Sequence, residues 1–312
     1  MINSLTIVLT IAIAAFFSLP NQRALPHEQH ENAETHFMRG YAFYEKGDYR
    51  SATGHFDNAI NMDMDHVQAH YYRGYSYAML GDFDTAIRDY DKVVELKRDG
   101  LNVYTNRGDI HLRKGNFDAA INDFTKAVEL EPDNFEHYNK RGYAHSCKHD
   151  YDAALNDLDK AVEMRPDDYY AYMIRGIVYS GKSDHDAALL NYDRAAELQP
   201  RHFLIYDGRG LVYAAKQDYD AAIRDYDRAI ELRPASARTY AYRGYALAVK
   251  GDFLAAMRDY NKSIELDPAQ SEAHYHRGKI FYVTGNHGDA RRDYNIALRL
   301  DPKLGRPYYE DM

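Results

Sequence analysis

The sequence has a single cysteine and no tryptophan. One thiol, Cys147, cannot form a disulfide within the chain, and it cannot supply a zinc site built from several cysteines. Neither of these two stabilising devices therefore holds the fold together. Without tryptophan, the aromatic side chains are 30 Tyr and 12 Phe. Tyrosine can bury its ring while its hydroxyl stays in water, so an aromatic surface on this protein would be mostly tyrosine.

Positive charge is also in short supply, with 39 Lys and Arg against 48 Asp and Glu and a formal net charge of -9. Nucleic-acid binding depends on clustered Lys and Arg that contact phosphates, so we expect no nucleic-acid partner. An apolar share of 45% with 28% charged residues is typical of a folded soluble protein. The length of 312 residues fits either two ordinary domains or one array of small units.

Long apolar runs are absent except at the N-terminus, where Leu5 to Phe17 is uncharged and Pro20 follows. This run resembles the core of a signal peptide, although no Lys or Arg precedes it. Ile2 to Leu19 is also borderline for a membrane span, which needs about 20 apolar residues. Residues 1–19 are therefore interpreted as a cleaved signal of an exported protein, periplasmic or secreted, and residues 20–32 as a polar linker. The alternatives are a membrane anchor formed by residues 2–19 or a cytosolic protein with an unusual start.

A glycine recurs every 34 residues without any insertion, and an alanine follows 12 positions later each time. Placing the glycine at position 8 defines eight repeats, which leave 305–312 as a short C-terminal tail. The glycines are Gly40, Gly74, Gly108, Gly142, Gly176, Gly210, Gly244 and Gly278. The repeats are residues 33–66, 67–100, 101–134, 135–168, 169–202, 203–236, 237–270 and 271–304.

The periodicity within one repeat predicts two helices. Positions 4, 8 and 11 share one face of a first helix at about 100° per residue, and positions 20, 24 and 27 share one face of a second. Asp or Asn at position 16 of every repeat is a good N-cap for the second helix. A helix of about 14 residues is marginal alone in water, so each hairpin needs its neighbours.

These positions resemble those of the tetratricopeptide repeat (TPR) family. The chain has Tyr or His at position 4, Gly at 8, Ala at 20, an aromatic residue or Leu at 24, a small residue at 27 and, in most repeats, Pro at 32. The resemblance implies an all-α fold, a right-handed superhelical α-solenoid of stacked helix-turn-helix hairpins. It also implies a protein-protein interaction scaffold rather than an enzyme.

Position 7 departs from the usual TPR pattern, because all eight repeats have Arg there and six of them have Asp at position 23. The exceptions at position 23 are His55 and Asn191. We predict a repeated Arg-Asp bridge that ties the two helices of a repeat, or adjacent repeats, together. The predicted pairs are Arg73 and Asp89, Arg107 and Asp123, Arg141 and Asp157, Arg209 and Asp225, Arg243 and Asp259, and Arg277 and Asp293.

Several motifs imitate catalytic or metal sites. Paired acids such as Asp157 and Asp159 recur in repeat after repeat, whereas a catalytic pair needs one unusual environment. The stretch DGRGLVYA lies within a predicted helix and has no strand before it, and HEQHE, residues 27–31, lacks the spacing of zinc peptidases. Cys147 lies between two histidines but has no recognisable oxyanion site. We therefore expect no catalytic residues, no cofactor and no metal.

Positions 2, 5, 9 and 12 of the first helices lie opposite the predicted core face, yet many are large and apolar. In a TPR superhelix this side lines the concave groove. Two interpretations remain open: the side chains pack between neighbouring repeats, or they form a surface for a partner segment. The residues are Phe37, Tyr41, Tyr44, Tyr71, Tyr75, Tyr143, Tyr170, Met173, Ile177, Leu204, Leu211, Tyr245, Tyr275 and Tyr282.

The function predicted from these features is a non-enzymatic scaffold that binds a protein or peptide segment in an aromatic-rich concave groove. The alternative is a membrane-anchored assembly factor of the cell envelope or of secretion, which would use the same array and touch the membrane only through its N-terminal segment. The basic residues with which TPR co-chaperones hold a C-terminal carboxylate are absent. Asn106, Asn139 and Lys140 are isolated matches in the wrong order.

Overall fold

The structure, a computed structural model, describes residues 31–96 and 102–304. The predicted signal peptide or anchor, most of the linker and the C-terminal tail lie outside these residues. Within the described part of the chain the secondary structure is helical and no strand occurs, so the all-α prediction is confirmed. The chain forms two compact units, which adjoin in sequence between Gly81 and Asp82, inside the second repeat.

Every repeat contributes two helices to the described ranges, one at about positions 1–13 and one at about positions 17–30. The first helices are α1 (Ala33–Glu45), α3 (Val67–Leu80), α5 (Val103–Arg113), α7 (Phe135–Cys147), α9 (Tyr169–Gly181), α11 (Phe203–Ala215), α13 (Ala237–Val249) and α15 (Ser271–Val283). The second helices are α2 (Tyr49–Met62), α4 (Phe83–Glu95), α6 (Phe117–Leu130), α8 (Tyr151–Met164), α10 (His185–Leu198), α12 (Tyr219–Leu232), α14 (Phe253–Leu266) and α16 (His287–Leu300).

The turn between the two helices of a repeat is set by positions 15 and 16. Position 16 is the N-cap of the second helix in all eight repeats, as predicted, and in six of them its side chain accepts a backbone N–H. Position 15 has a positive φ in every repeat and is glycine in five. Glycine adopts this left-handed conformation without strain, so the chain reverses within three residues.

The core of each hairpin forms where the glycine at position 8 faces the ring or leucine at position 24. In the first compact unit, α1 packs on α2 and α3, and the buried Phe56 lies against Gly40. In the second unit, which contains α4 to α16, the helices of each complete repeat pack together, and each second helix packs on the first helix of the next repeat. Tyr226 and Tyr260 are fully buried against Gly210 and Gly244. The first helices of the second unit also contact one another in succession, from α7 to α15.

Candidate partner-binding surface

We call positions 2, 5, 9 and 12 of the first helices the binding face. Two of its fourteen predicted residues are buried among core side chains. Phe37 is 9% exposed and packs against Phe56 with 6.0 Å between ring centroids, and Met173 is 5% exposed within the largest apolar cluster of the second unit. Packing is a sufficient explanation for these two side chains.

Nine predicted residues of the binding face are half-buried and take part in aromatic or apolar contacts. In the first unit, Tyr44 contacts Tyr41 at 5.8 Å and Tyr75 at 5.3 Å between ring centroids. In the second unit, Tyr275 contacts the buried Tyr294 at 5.5 Å. Each side chain therefore packs on one side and leaves part of its surface to solvent. The nine are Tyr41, Tyr44, Tyr71, Tyr75, Tyr143, Tyr170, Leu204, Tyr275 and Tyr282.

Three predicted residues of the binding face are exposed apolar side chains in the second unit. Ile177, Leu211 and Tyr245 are 39%, 42% and 41% exposed, respectively. They lie at position 9 of three consecutive repeats, on α9, α11 and α13. An apolar side chain that repeats at one position of side-by-side helices forms a continuous strip rather than scattered contacts.

Two cavities open on the binding face of the second unit. The repeat 3–5 cavity has a volume of about 610 Å³, and Leu112, Tyr143 and Tyr170 contribute to its lining. The repeat 6–8 cavity has a volume of about 420 Å³, and Leu211 and Tyr245 are among its lining residues. Both volumes lie in the range of about 300–1,000 Å³ found for ligand pockets.

Tyr143 and Tyr170 in the repeat 3–5 cavity and His276 in the repeat 6–8 cavity are uncharged near neutral pH. Burial raises the pKa of Tyr143 and that of Tyr170, so both phenols keep their protons and can donate hydrogen bonds. Burial, with a smaller effect of the Lys279 cation, lowers the pKa of His276 to about 4. Its imidazole is therefore neutral at pH 7 and suits an apolar wall.

Two buried polar side chains at position 5 were missed in the sequence analysis. Asp207 is 3% exposed, and one carboxylate oxygen accepts a hydrogen bond from the Thr239 hydroxyl at 3.0 Å, while its other oxygen has no partner among the described residues. Burial raises the pKa of Asp207. Asn139 donates to Asp168 at 2.5 Å, and its carbonyl oxygen is likewise unpaired within the described ranges. A polar residue among apolar ones at position 5 was the available signal.

The arginines at position 7 hold the aspartates at position 23 of their own repeat. In the second unit, Arg209 donates from Nε and Nη2 to the two carboxylate oxygens of Asp225 at 2.8 and 2.7 Å. The other pairs of this unit, Arg107 with Asp123, Arg141 with Asp157, Arg243 with Asp259 and Arg277 with Asp293, have the same two-pronged geometry. These aspartate side chains are 3% to 8% exposed. The contacts join the first and second helices of a repeat.

The same arginines reach back to position 25 of the preceding repeat, a contact that was not predicted from the sequence. Arg209 donates through Nη1 to Asp193 at 2.6 Å, and Arg243 donates to Asp227 at 2.5 Å. In the first unit, Arg73 contacts Asp57 at 2.6 Å. Arg107, Arg209 and Arg243 therefore each lie between two aspartates, and hydrogen bonds to these raise their pKa. Arg141 and Arg277 instead reach a neutral partner at position 25, Thr125 and Asn261, respectively. The contacts tie consecutive repeats together.

Repeat 5 interrupts this arrangement because Asn191 stands at position 23. The amide of Asn191 donates to the Ala187 carbonyl at 2.8 Å instead of accepting from Arg175. Arg175 contacts only Asp159, at 3.2 Å, and its buried Nε has no partner among the described residues. In repeat 1, which has His55, the Arg39 side chain pairs with Glu31 at 2.5 Å.

The bridge predicted between Arg73 and Asp89 would join the two compact units and stays a prediction. Asp89 itself is 3% exposed, and its counterparts in later repeats are 2% to 6% exposed.

The side chains that imitate catalytic sites take part in other contacts. The paired carboxylates Asp157 and Asp159 bind two different arginines, Arg141 and Arg175. Burial raises the pKa of the Cys147 thiol, which opposes formation of the nucleophilic thiolate. Among the described residues, no group of three or more His, Cys, Asp or Glu side chains could hold a metal ion. No helix in the described part is long and apolar enough to cross a bilayer.

Family models identify this array. A model described as TPR repeat matches residues 108–146, 210–251 and 244–285. One model described as tetratricopeptide repeat matches residues 37–100 and 148–203, and a second model with that description matches residues 271–304. The chain belongs to the tetratricopeptide repeat family. Proteins built from this repeat are generally non-enzymatic scaffolds for protein-protein interaction.

Solved structures of TPR proteins share the fold. A tetratricopeptide repeat protein from Parabacteroides merdae matches with a TM-score of 0.68 and 18% identity, over 85% of this chain and 98% of that chain. Yeast Tom70 matches with a TM-score of 0.63 and 20% identity, over 94% of this chain and 64% of that chain. No curated protein sequence is similar enough to count as a match.

Proposed function

We propose that this protein is a non-enzymatic scaffold whose binding face holds a segment of a partner protein. One observation carries the proposal: the exposed strip of Ile177, Leu211 and Tyr245 runs beside two cavities on the same face of the first helices. Apolar side chains that stay exposed next to recesses are typical of sites that take up peptide segments. Half-buried tyrosines around them offer contact area at a low cost in conformational entropy.

The proposal is tested by replacing Ile177, Leu211 and Tyr245 together by serine and capturing partners from a native extract. Contacts of about 1–2 kcal/mol each are expected at such anchors, so the triple variant should bind a partner about 100-fold more weakly or worse. Its helix content and melting temperature should stay close to those of the original chain, because the three side chains are already partly in water.

A matched control comes from the second helices, which carry equally apolar and more exposed leucines. Leu190 and Leu254 are 72% and 78% exposed. Replacing both by serine removes more exposed apolar surface but leaves the binding face intact, so capture should be unchanged. Loss of the same partner in this control, or its retention by the triple variant, would place the interaction elsewhere.

The N-terminal interpretation stays a prediction, because residues 1–30 lie outside the described residues. We propose export, through a cleaved signal, with an anchor formed by residues 2–19 as the alternative. Neither affects which face of the array binds the partner.

A further inference from the structure

The repeat 6–8 cavity combines a recessed floor with aromatic walls. Its floor is formed by small residues of α11 and α13, including Ala214 and Ala241, whereas repeat 1 has Tyr44 and Phe37 at the same two positions. Tyr242, Tyr245 and His276 stand around it. The alanines thus leave space that a large side chain from outside can fill.

The aromatic walls favour an aromatic guest. The His276 ring lies 5.1 Å from the Tyr245 ring and 6.1 Å from the Tyr260 ring, so aromatic pairs already form around the cavity. Aromatic rings gain about 0.5–1.5 kcal/mol from such contacts beyond the burial of their area. The neutral imidazole of His276 adds no charge that would repel an apolar ring.

The mouth of the cavity carries one charge of each sign. Arg238 and Glu272 both line it, and they occupy position 2 of consecutive repeats. Neither forms an ion pair with another residue in the described part of the chain; Arg238 lies over the Tyr242 ring, and Glu272 accepts a hydrogen bond from Ser271. Arg238 is also the only basic residue at position 2 in the sequence.

The spacing of these charges suits neighbouring residues of one peptide. Packed helices lie about 8–10 Å apart. In an extended chain, residues on the two sides of a central residue are about 7 Å apart, and their side chains extend further. An aromatic residue in the cavity would therefore place its two neighbours near Arg238 and Glu272.

We infer that the repeat 6–8 cavity binds a peptide segment of the partner in which an aromatic residue is flanked by an acidic residue, held by Arg238, and a basic residue, held by Glu272. The inference rests on the proposed function and adds the chemistry of the occupant. Because the acid lies over repeat 7 and the base over repeat 8, the order of the two charges in the tighter-binding peptide gives the direction of the bound segment.

The test uses the full chain and four synthetic peptides that differ only in their three central residues. These are Asp-Phe-Lys, the reversed Lys-Phe-Asp, Asp-Ala-Lys and the uncharged Ser-Phe-Ser, each with the same neutral flanks and capped ends. We expect one of the two charged orders to bind at least about fivefold more tightly than the other. The alanine peptide should lose at least about tenfold in affinity.

Charge exchange in the protein makes the test decisive. The double variant with Arg238→Glu and Glu272→Arg should reverse the preference, so that the order rejected by the original chain becomes the tighter ligand. Arg224, an exposed arginine on the second helix α12, provides a control, since Arg224→Glu makes the same change of charge away from the cavity. This control should leave the preference unchanged, and circular dichroism should show equal helix content in all variants.

Three results would overturn the inference. The first is equal binding of Asp-Phe-Lys and Lys-Phe-Asp. The second is a preference between these two peptides that the charge-exchanged variant does not reverse. The third is free phenylalanine binding as tightly as the best peptide. The last result would make the ligand an amino acid rather than a protein segment. If the peptides do not bind but the triple variant of Ile177, Leu211 and Tyr245 still loses its partner, the occupant proposed for the cavity is refuted. The scaffold function is not refuted by that result.

Discussion

Replacing Arg209 by methionine is expected to lower the free energy of unfolding by about 3–5 kcal/mol, because the change leaves the buried Asp225 carboxylate without its cation. Methionine keeps much of the apolar stem of arginine, so the lost charge and hydrogen bonds dominate the effect. Urea unfolding followed by far-UV circular dichroism measures it. A loss below about 1 kcal/mol would mean that the pair is no stronger than a surface ion pair.

An exposed ion pair of the same repeat supplies the control for this prediction. Lys216 pairs with Asp186 of the preceding repeat, and the two side chains are 38% and 87% exposed. Lys216→Met should therefore cost less than about 1 kcal/mol. Asn191→Asp gives a reciprocal control, because it offers a carboxylate to the unpaired Nε of Arg175 and should raise the unfolding midpoint.

Replacing Gly40 by alanine is expected to destabilise the protein by about 1–3 kcal/mol through overpacking. A β-carbon at Gly40 would lie 2.7 Å from two atoms of the Phe56 ring and 3.2 Å from the Ala52 carbonyl oxygen. Phe56 is fully buried, so its ring has little room to move away. The measurement is the unfolding midpoint in urea, compared with that of the original chain.

The same substitution should have the opposite sign at Gly54, which lies in the next helix of the same repeat. No atom lies within 4 Å of a β-carbon built there, and the residue is exposed. Alanine is a better helix former than glycine by about 1 kcal/mol, so Gly54→Ala should stabilise the chain. If both alanines stabilise it, the contact between Gly40 and Phe56 does not restrict the residue at position 8.

The sequence was sufficient to predict contacts within one repeat. Local periodicity predicts the 34-residue repeat, the N-cap at position 16 and the two helices per repeat. The structure confirms the N-caps and the helices. The pairing of position 7 with position 23 could also be proposed, because both residues recur at a constant separation of 16. The family resemblance then implied the stacking of hairpins, which the helix contacts within the second unit bear out.

Contacts between repeats were harder to predict because they depend on how one hairpin is offset against the next. The role of Asp193 and Asp227 at position 25 appears only when Arg209 and Arg243 reach back across a repeat boundary. The lysines that pair with acids 30 residues earlier were missed for the same reason.

Exposure on the binding face could not be read from the helical pattern either. Met173 and Ile177 lie one turn apart on the same side of α9, yet one is 5% and the other 39% exposed. The difference comes from their neighbours in the array rather than from their own helix. The positions of the cavities could not be predicted for the same reason, because a cavity forms only where two adjacent helices both carry small residues.

Site-specific photo-crosslinking tests the central claim, that the first helices present the partner-binding face, most directly. A photoreactive benzoylphenylalanine replaces either Tyr245, on the binding face, or Leu254, on a second helix, and the protein is irradiated in its native extract. Tyr245 is 41% exposed and Leu254 is 78% exposed, so random collisions alone would favour adducts at Leu254. The proposed scaffold predicts a discrete protein adduct from position 245 and none from position 254. A discrete adduct from position 254, with none from position 245, would contradict it.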